Sequence, residues 1–376
     1  MSSQRVVLAI SGGVDSAVAA VLLKDAGYDV HALFMHVWDD DEDAYCTAAQ
    51  DLQDARRVCN DLSLPLHTVH FVETYRERVF EHFLAELRAG RTPNPDVLCN
   101  REIKFGACFA HARRLGADLF ATGHYARVGR DSDGHPTLLR AVDGAKDQSY
   151  FLHMVAASSL AHTLFPIGEL QKTAVRAMAV ARGLAVHDKR DSTGICFIGE
   201  RPFAEFLAGY LPAQPGPIET VAGVGIGTHR GLMYYTLGQR QGLELGGIKG
   251  AGEAPWYVAR KDLARNVLVV VQDAAHGLLM SRRFATAQAS WIHGVPPAGE
   301  FRATVRTRYR QPDQPCTVTV LADGGCAVET DDPQRAVTPG QSAVFYRGDV
   351  CLGGAVLTAV ETLALGDVLP RATATV

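Results

Sequence analysis

Arg5-Val6-Val7-Leu8-Ala9-Ile10-Ser11-Gly12-Gly13-Val14-Asp15-Ser16 is the stretch that decides the fold. Val6 to Ile10 is apolar without alternation, the pattern of a strand buried on both faces. Two glycines make a turn, and Asp15 to Ala26 then carries helical spacing closed by Gly27. The glycines let backbone N–H groups curve around an anion, Ser11 and Ser16 add hydroxyl donors, and the helix N-terminus adds positive potential. The stretch therefore reads as a pyrophosphate cradle. It lacks the Gly-Lys-Ser/Thr of a Walker loop and the G-x-G-x-x-G of a dinucleotide site. The competing reading is a glycine-rich turn that binds nothing, and the order strand, loop, helix weighs against it.

Outward from this loop, strands and helices alternate. Val30–His36, Leu66–Phe71 and Asp118–Thr122 read as strands, and Cys46–Leu62, Glu73–Ala89 and Phe105–Leu115 as helices. That alternation predicts an α/β fold with a doubly wound parallel sheet, whose ligand sits beyond the carboxyl ends of the strands. Asp131-Ser132-Asp133-Gly134 reads as the turn of a hairpin appended to this domain. After Pro212-Ala213-Gln214-Pro215-Gly216-Pro217 the texture becomes glycine-rich and strand-like, and from Ser281 alternating runs suggest a small all-β module. Three domains follow: 1–211, α/β; 212–280, a small central β-rich domain; 281–376, β-barrel-like.

The 376 residues carry 37 Lys+Arg against 41 Asp+Glu, a net charge of −4, and 47% are hydrophobic. This composition excludes disorder, collagen and small disulfide scaffolds. The acidic balance offers no global attraction for nucleic acid, so any RNA contact must come from local clusters. No apolar run reaches the length of a membrane span, and the first strand begins too early to leave room for a signal peptide, so a cytoplasmic protein is expected. Eight cysteines, at 46, 59, 99, 108, 196, 316, 326 and 351, include no C-x-x-C pair, which disfavours a zinc knuckle. Five or six are expected to be buried small hydrophobes.

Two cysteines stand apart. Cys99 lies in Gly90-Arg91-Thr92-Pro93-Asn94-Pro95-Asp96-Val97-Leu98-Cys99-Asn100-Arg101-Glu102-Ile103-Lys104-Phe105, read as a rigid loop in which Arg101 and Lys104 favour a thiolate. Cys196 lies in Asp191-Ser192-Thr193-Gly194-Ile195-Cys196-Phe197-Ile198-Gly199, just after Lys189-Arg190. Asp96, three residues before Cys99, is a candidate general acid/base, with a plain turn aspartate as the equal alternative. His67 and His70 read as partly buried strand residues, and Trp38, Trp256 and Trp291 as core. Asp39 to Asp43 reads as a solvated acidic loop.

The phosphate loop resembles that of ATP-pyrophosphatases, which adenylate a substrate and release pyrophosphate. At the cysteine segments, together with Ala121-Thr122-Gly123-His124-Tyr125, Lys146-Asp147-Gln148-Ser149-Tyr150-Phe151 and Leu237-Gly238-Gln239-Arg240, the chain resembles the tRNA-specific 2-thiouridylases of the MnmA type over nearly its whole length. The resemblance implies ATP contacts from Ala9, Ile10, Ser11, Gly12, Gly13, Val14, Asp15, Ser16, Met35 and Gly123. It implies that Asn94, Pro95 and Asp96 face the target uracil, that Cys99 is the nucleophile and that Cys196 carries a persulfide. It assigns tRNA contacts to His124, Lys146, Asp147, Gln148, Arg308, Tyr309 and Gln341. The expected reaction is ATP-dependent 2-thiolation of the wobble uridine of tRNAs for Lys, Glu and Gln, with a persulfide sulfur-donor protein and an external reductant as partners. Mg²⁺ is expected with ATP, near Asp15, without a protein cage.

A persulfide relay requires the two cysteines to approach to a Cα separation of about 4.4 to 6.8 Å. Arg302, Arg306, Arg308 and Arg310 share one face if Arg302 to Arg310 is a strand, which would make a phosphate-tracking stripe; a solvated face paired with acids is the competing reading. Arg101, Lys104, Arg113 and Arg114 form a second basic cluster. The same residues are compatible with two further functions: another ATP-pyrophosphatase synthetase acting on a small metabolite, and a non-catalytic nucleotide-sensing RNA-binding protein.

Overall fold

The structure, a computed structural model, describes residues 4–38, 48–191, 202–246 and 252–363. Its first domain is built on β1 (Arg5–Ile10), β2 (Asp29–His36), β3 (Leu66–His70) and β4 (Leu119–Thr122). After the hairpin β5 (Ala126–Arg130) and β6 (Pro136–Arg140) comes the short β7 (Thr163–Leu164). The sheet order is β3-β2-β1-β4-β7, every pair parallel. β1 is the central strand, and Val6, Val7 and Leu8 are fully buried, as a strand covered by helices on both faces must be. The chain builds outward from β1 to β3 on one side and resumes at β4 on the other, so the switch point lies between β1 and β4. The first helix, Val14–Asp25, packs between β1 and β2 on one side and the helix Lys172–Ala181 on another, and Ala17, Ala19 and Ala20 are fully buried. Their small side chains let its backbone approach closely and hold the phosphate loop at the sheet's carboxyl edge.

The central domain contains β8 (Gly216–Thr220), β9 (Gly225–His229), β10 (Tyr257–Asp262) and β11 (Val267–Val271), ordered β10-β11-β8-β9. The C-terminal domain contains β12 (Met280–Thr286), β13 (Ser290–Trp291), β14 (Glu300–Arg306), β15 (Gln314–Val320), β16 (Cys326–Arg335), β17 (Ser342–Arg347) and β18 (Val350–Glu361). β12, β16, β15, β14, β17 and β18 pair in that order and β18 returns to β12, closing a six-stranded barrel. Closure leaves the barrel strands without an edge.

The hairpin β5–β6 corrects the sequence reading. It is not an appendage of the first domain alone: Leu138 and Leu139 pair with Cys351 and Val350 on β18, so it extends the barrel's sheet. Leu138 is fully buried there. It belongs to one apolar cluster that joins Phe120, Tyr150 and Leu152 of the first domain to Val344, Tyr346 and Cys351 of the barrel.

Candidate active site

The predicted nucleotide residues converge. Ser11 to Ser16 follow β1, Met35 lies near the end of β2, and Gly123 follows β4, all at the carboxyl ends of the sheet. Gly12 adopts φ +73°, and a Cβ there would stand 2.2 Å from the Asp51 carbonyl oxygen, so only glycine fits. A Cβ on Gly123 would lie 2.8 Å from the Ser16 amide nitrogen. The Ser16 hydroxyl donates to Gly13 O (3.1 Å) and accepts from the Ser11 amide (3.2 Å), which fixes the loop's curvature. Gly13 at the N-cap brings no side-chain acceptor to the helix's first-turn amides.

Beside this loop stands a charge cluster that sequence reading missed. Lys172 donates to both oxygens of Asp15 (2.7 and 2.8 Å) and lies 2.7 Å from Asp191, while the Tyr125 hydroxyl donates to Asp15 Oδ1 (2.8 Å). Lys146 and Arg176 also bind Asp191, at 2.7 and 2.8 Å. Burial works against ionisation of Asp191, yet the hydrogen bonds from Lys146 and Lys172 hold it at about 2. Lys189 donates to Gly12 O (3.1 Å) and to Asp51 and Asp54. Four cations thus flank the cradle. Asp15 does not fit a protein-held Mg²⁺, because Lys172 and Tyr125 already occupy its carboxylate.

The Cys99 segment differs from its predicted form. It is helical from Pro95, which takes the first helical position after Asn94, whose side chain accepts from the Asp96 amide at 3.2 Å. Cys99 opens a π-wound stretch, Cys99–Cys108, and is buried. Gly106 permits that winding, since a Cβ there would meet Arg101 O at 2.9 Å. Burial raises the Asp96 carboxyl above its ordinary value against the opposing pull of Lys104, the direction a general acid needs. The same lysine lies near His124, which burial pushes well below the usual histidine range, leaving a neutral imidazole whose Nδ1 pairs with Thr122 Oγ1 at 2.7 Å. Cys196 lies outside the described residues, as do Cys46 and Asp39 to Asp43. Cys59, Cys99, Cys108, Cys316, Cys326 and Cys351 are all buried.

The residues expected at the tRNA are placed more unevenly. Asp147 is buried and accepts from the Ala141 amide and from Ser149, so it braces its loop from inside. Gln148 Oε1 accepts from the Tyr125 amide at 2.9 Å. Tyr309 packs on Phe151 with ring centroids 4.4 Å apart, and Gln341 donates to Thr92 O at 2.7 Å. The arginine stripe does not form. β14 stops at Arg306, because the Thr307 amide and hydroxyl are captured by Gln311 and the chain turns. Arg302 pairs with Asp331 and Arg306 with Asp313, which is the competing reading. Arg308 turns inward to Leu237 O (3.0 Å), Ala336 O (2.9 Å) and Thr338 Oγ1 (3.2 Å). In the second basic cluster, Arg101 pairs with Glu102 and Arg113 binds Ala117 O. His67 is half-buried and shares a 3.0 Å contact with His31, but His70 is exposed. Trp38 is core, packed on Phe80. Among the described residues one cluster has metal-ligating types, Asp131, Asp133 and His135, on the exposed hairpin turn.

Family models match the chain in three consecutive blocks: a tRNA methyl transferase HUP domain over residues 4–200, a tRNA methyl transferase PRC-barrel domain over 204–272 and an aminomethyltransferase beta-barrel domain over 281–357. The tRNA-specific 2-thiouridylase MnmA of Marinobacter nauticus is 58% identical over 94% of this chain and 91% of its own. The chain belongs to the tRNA-specific 2-thiouridylase family. A second member of the 2-thiouridylase family, from Pseudomonas aeruginosa, is 56% identical over 96% of each chain. Among solved structures, a 4-thiouridine synthetase–RNA complex with bound ATP aligns over 53% of this chain and 46% of that one, at 17% identity and a TM-score of 0.33. Among the described residues no helix is long and apolar enough to cross a membrane.

Proposed function

We propose that the protein is an ATP-dependent tRNA 2-thiouridylase acting in the cytoplasm on the wobble uridine of tRNAs for Lys, Glu and Gln. The observation that carries this reading is the close identity to named 2-thiouridylases across all three domains, on a chain that keeps both the phosphate loop and Cys99. ATP would be held by Ser11 to Ser16, with Met35 and Gly123 beside it.

The uracil C2 oxygen is a poor leaving group. Its attack on the α-phosphorus of ATP expels pyrophosphate into the loop and converts the oxygen into part of AMP. Lys172, Lys189 and the first-turn amides balance the pyrophosphate charge. A persulfide on Cys196, loaded by a donor protein, supplies the sulfur. The Cys99 thiolate attacks the Cys196 sulfur, a disulfide forms, and hydrosulfide departs. Hydrosulfide then adds to C2, the C2–O bond breaks, and AMP leaves with the bonding pair. Alternatively, the persulfide attacks C2 directly and Cys99 resolves the product. Both routes end in a Cys99–Cys196 disulfide that an external dithiol must reduce. Asp96, whose carboxyl burial raises above its ordinary value, would move a proton at the uracil. Asn94 and Pro95 fix that turn, and His124, Lys146, Gln148 and Tyr309 would contact the tRNA.

The test is pyrophosphate release stimulated by tRNA and matched by sulfur gained in the RNA. A synthetase for a small metabolite would release pyrophosphate without tRNA, and a nucleotide sensor would bind ATP without releasing any.

A further inference from the structure

The connection into the Cys99 helix, in the first domain, is gripped by both of the other domains. The helical run ending at Arg88 closes at Gly90, which sits at φ +74°. The carbonyl of Gly90 accepts from Lys261 Nζ of β10 at 3.0 Å, and the side chain of Leu263 covers the same glycine, where a Cβ would stand 2.7 Å from it. Two residues on, the Thr92 amide donates to Pro339 O at 3.0 Å, its carbonyl accepts from Gln341, and its hydroxyl lies 3.3 Å from that of Thr236. Asn94 then caps the helix that carries Asp96 and Cys99.

We propose that Lys261, on the central domain, is a positioning residue that sets the placement of Asp96 and Cys99 through the Gly90 carbonyl; the inference rests on the thiouridylase reading above. The helix end favours a cation, since its carbonyls carry partial negative charge. Among the described residues no carboxylate lies within ion-pair distance of Lys261. Burial accordingly pulls its ammonium down to about 8. A lysine desolvated for the sake of one carbonyl is a poor choice for stability alone, because an apolar residue would fill the space without that cost. Its placement is explained by the connection it holds. Asp96 and Cys99 follow Gly90 across the short non-helical stretch 91–94 and the helix that starts at Pro95, and misplacement by an ångström at a reacting group costs rate steeply.

The experiment compares Lys261→Met and Lys261→Arg in the full chain, with two readouts: steady-state thiolation with tRNA, and the rate of Cys99 alkylation by iodoacetamide, followed by peptide mass spectrometry. In Lys261→Met, kcat should fall by about 10-fold or more, KM for ATP should stay unchanged, and Cys99 alkylation should change severalfold. Lys261→Arg, which can still reach the carbonyl, should restore both. A Lys261→Met protein with wild-type kcat and wild-type alkylation would overturn the proposal. If that variant does not fold, Lys261→Gln, which keeps a polar head but is shorter and uncharged, takes its place, with the same split expected and wild-type values again contradicting the proposal. Should wild-type protein not thiolate tRNA at all, the functional reading fails while the alkylation comparison still decides the role of Lys261.

Discussion

Lys172 Nζ lies 2.7 Å from Asp15 Oδ1, joining the first turn of the phosphate-loop helix to the start of the helix Lys172–Ala181. The same ammonium reaches Asp191, the last described residue before the Cys196 segment. One buried cation thus touches both the nucleotide loop and the root of the segment that carries the proposed persulfide.

Replacing Lys172 with methionine removes a cation from beside the leaving pyrophosphate and leaves Asp15 without its closest partner. The tRNA-stimulated pyrophosphate release of Lys172→Met should fall on the order of 100-fold, the scale for one preorganised charge. A coupled phosphate assay reads it. A value within twofold of wild type would remove Lys172 from the site.

Gly12→Ala should abolish measurable ATP binding by calorimetry. Its methyl would lie 2.2 Å from Asp51 O, and the positive φ adds about 1–2 kcal/mol of backbone cost. Gly27, also at positive φ but with nothing within 4 Å, is the control: Gly27→Ala should lower stability by a similar small amount and bind ATP normally.

Acid stability carries the signature of Asp191. Its folded pKa, about 2, is depressed from 3.8, so its contribution is complete above about pH 4 and is lost as pH falls toward 2. The difference corresponds to roughly 2 kcal/mol, before discounting for its part-exposed carboxylate. Asp191→Asn should be less stable than wild type at neutral pH, and the two unfolding free energies should converge near pH 2. A constant gap across that window would show that the ion pairs contribute nothing.

Arg308 separates two roles by salt. Its guanidinium is spent on two carbonyls and a hydroxyl that join the central domain to the barrel. Arg308→Ala should therefore lower stability by about 2 kcal/mol and leave the slope of log affinity for tRNA against log salt unchanged. A slope smaller by about 1 would instead mark a phosphate contact.

The phosphate loop was legible because its signal is local: strand, glycine turn and helix are contiguous in Arg5 to Asp25. Lys172 and Lys189 were not legible, since a lone lysine far along the chain gives no sign of which loop it will meet. The Cys99 segment was half legible. Its prolines read as loop stiffeners, although Asn94 followed by Pro95 is also the signature of a helix start, and that signal was available. The arginine stripe failed for a physical reason. Alternation sets faces only while a strand continues, and Gln311 ends this one just after Arg306. The hairpin's partner was hidden because its pairing with Val350 and Cys351 spans more than 200 positions, beyond the reach of any local pattern.

The most direct test of the account follows pyrophosphate and sulfur together in one reaction containing ATP, tRNA and a persulfide donor. Wild-type protein should release pyrophosphate only when tRNA is present and place one sulfur at the wobble uridine. Cys99→Ala should place none. Sulfur incorporated at the wild-type level by Cys99→Ala, or pyrophosphate released equally without tRNA, would contradict it.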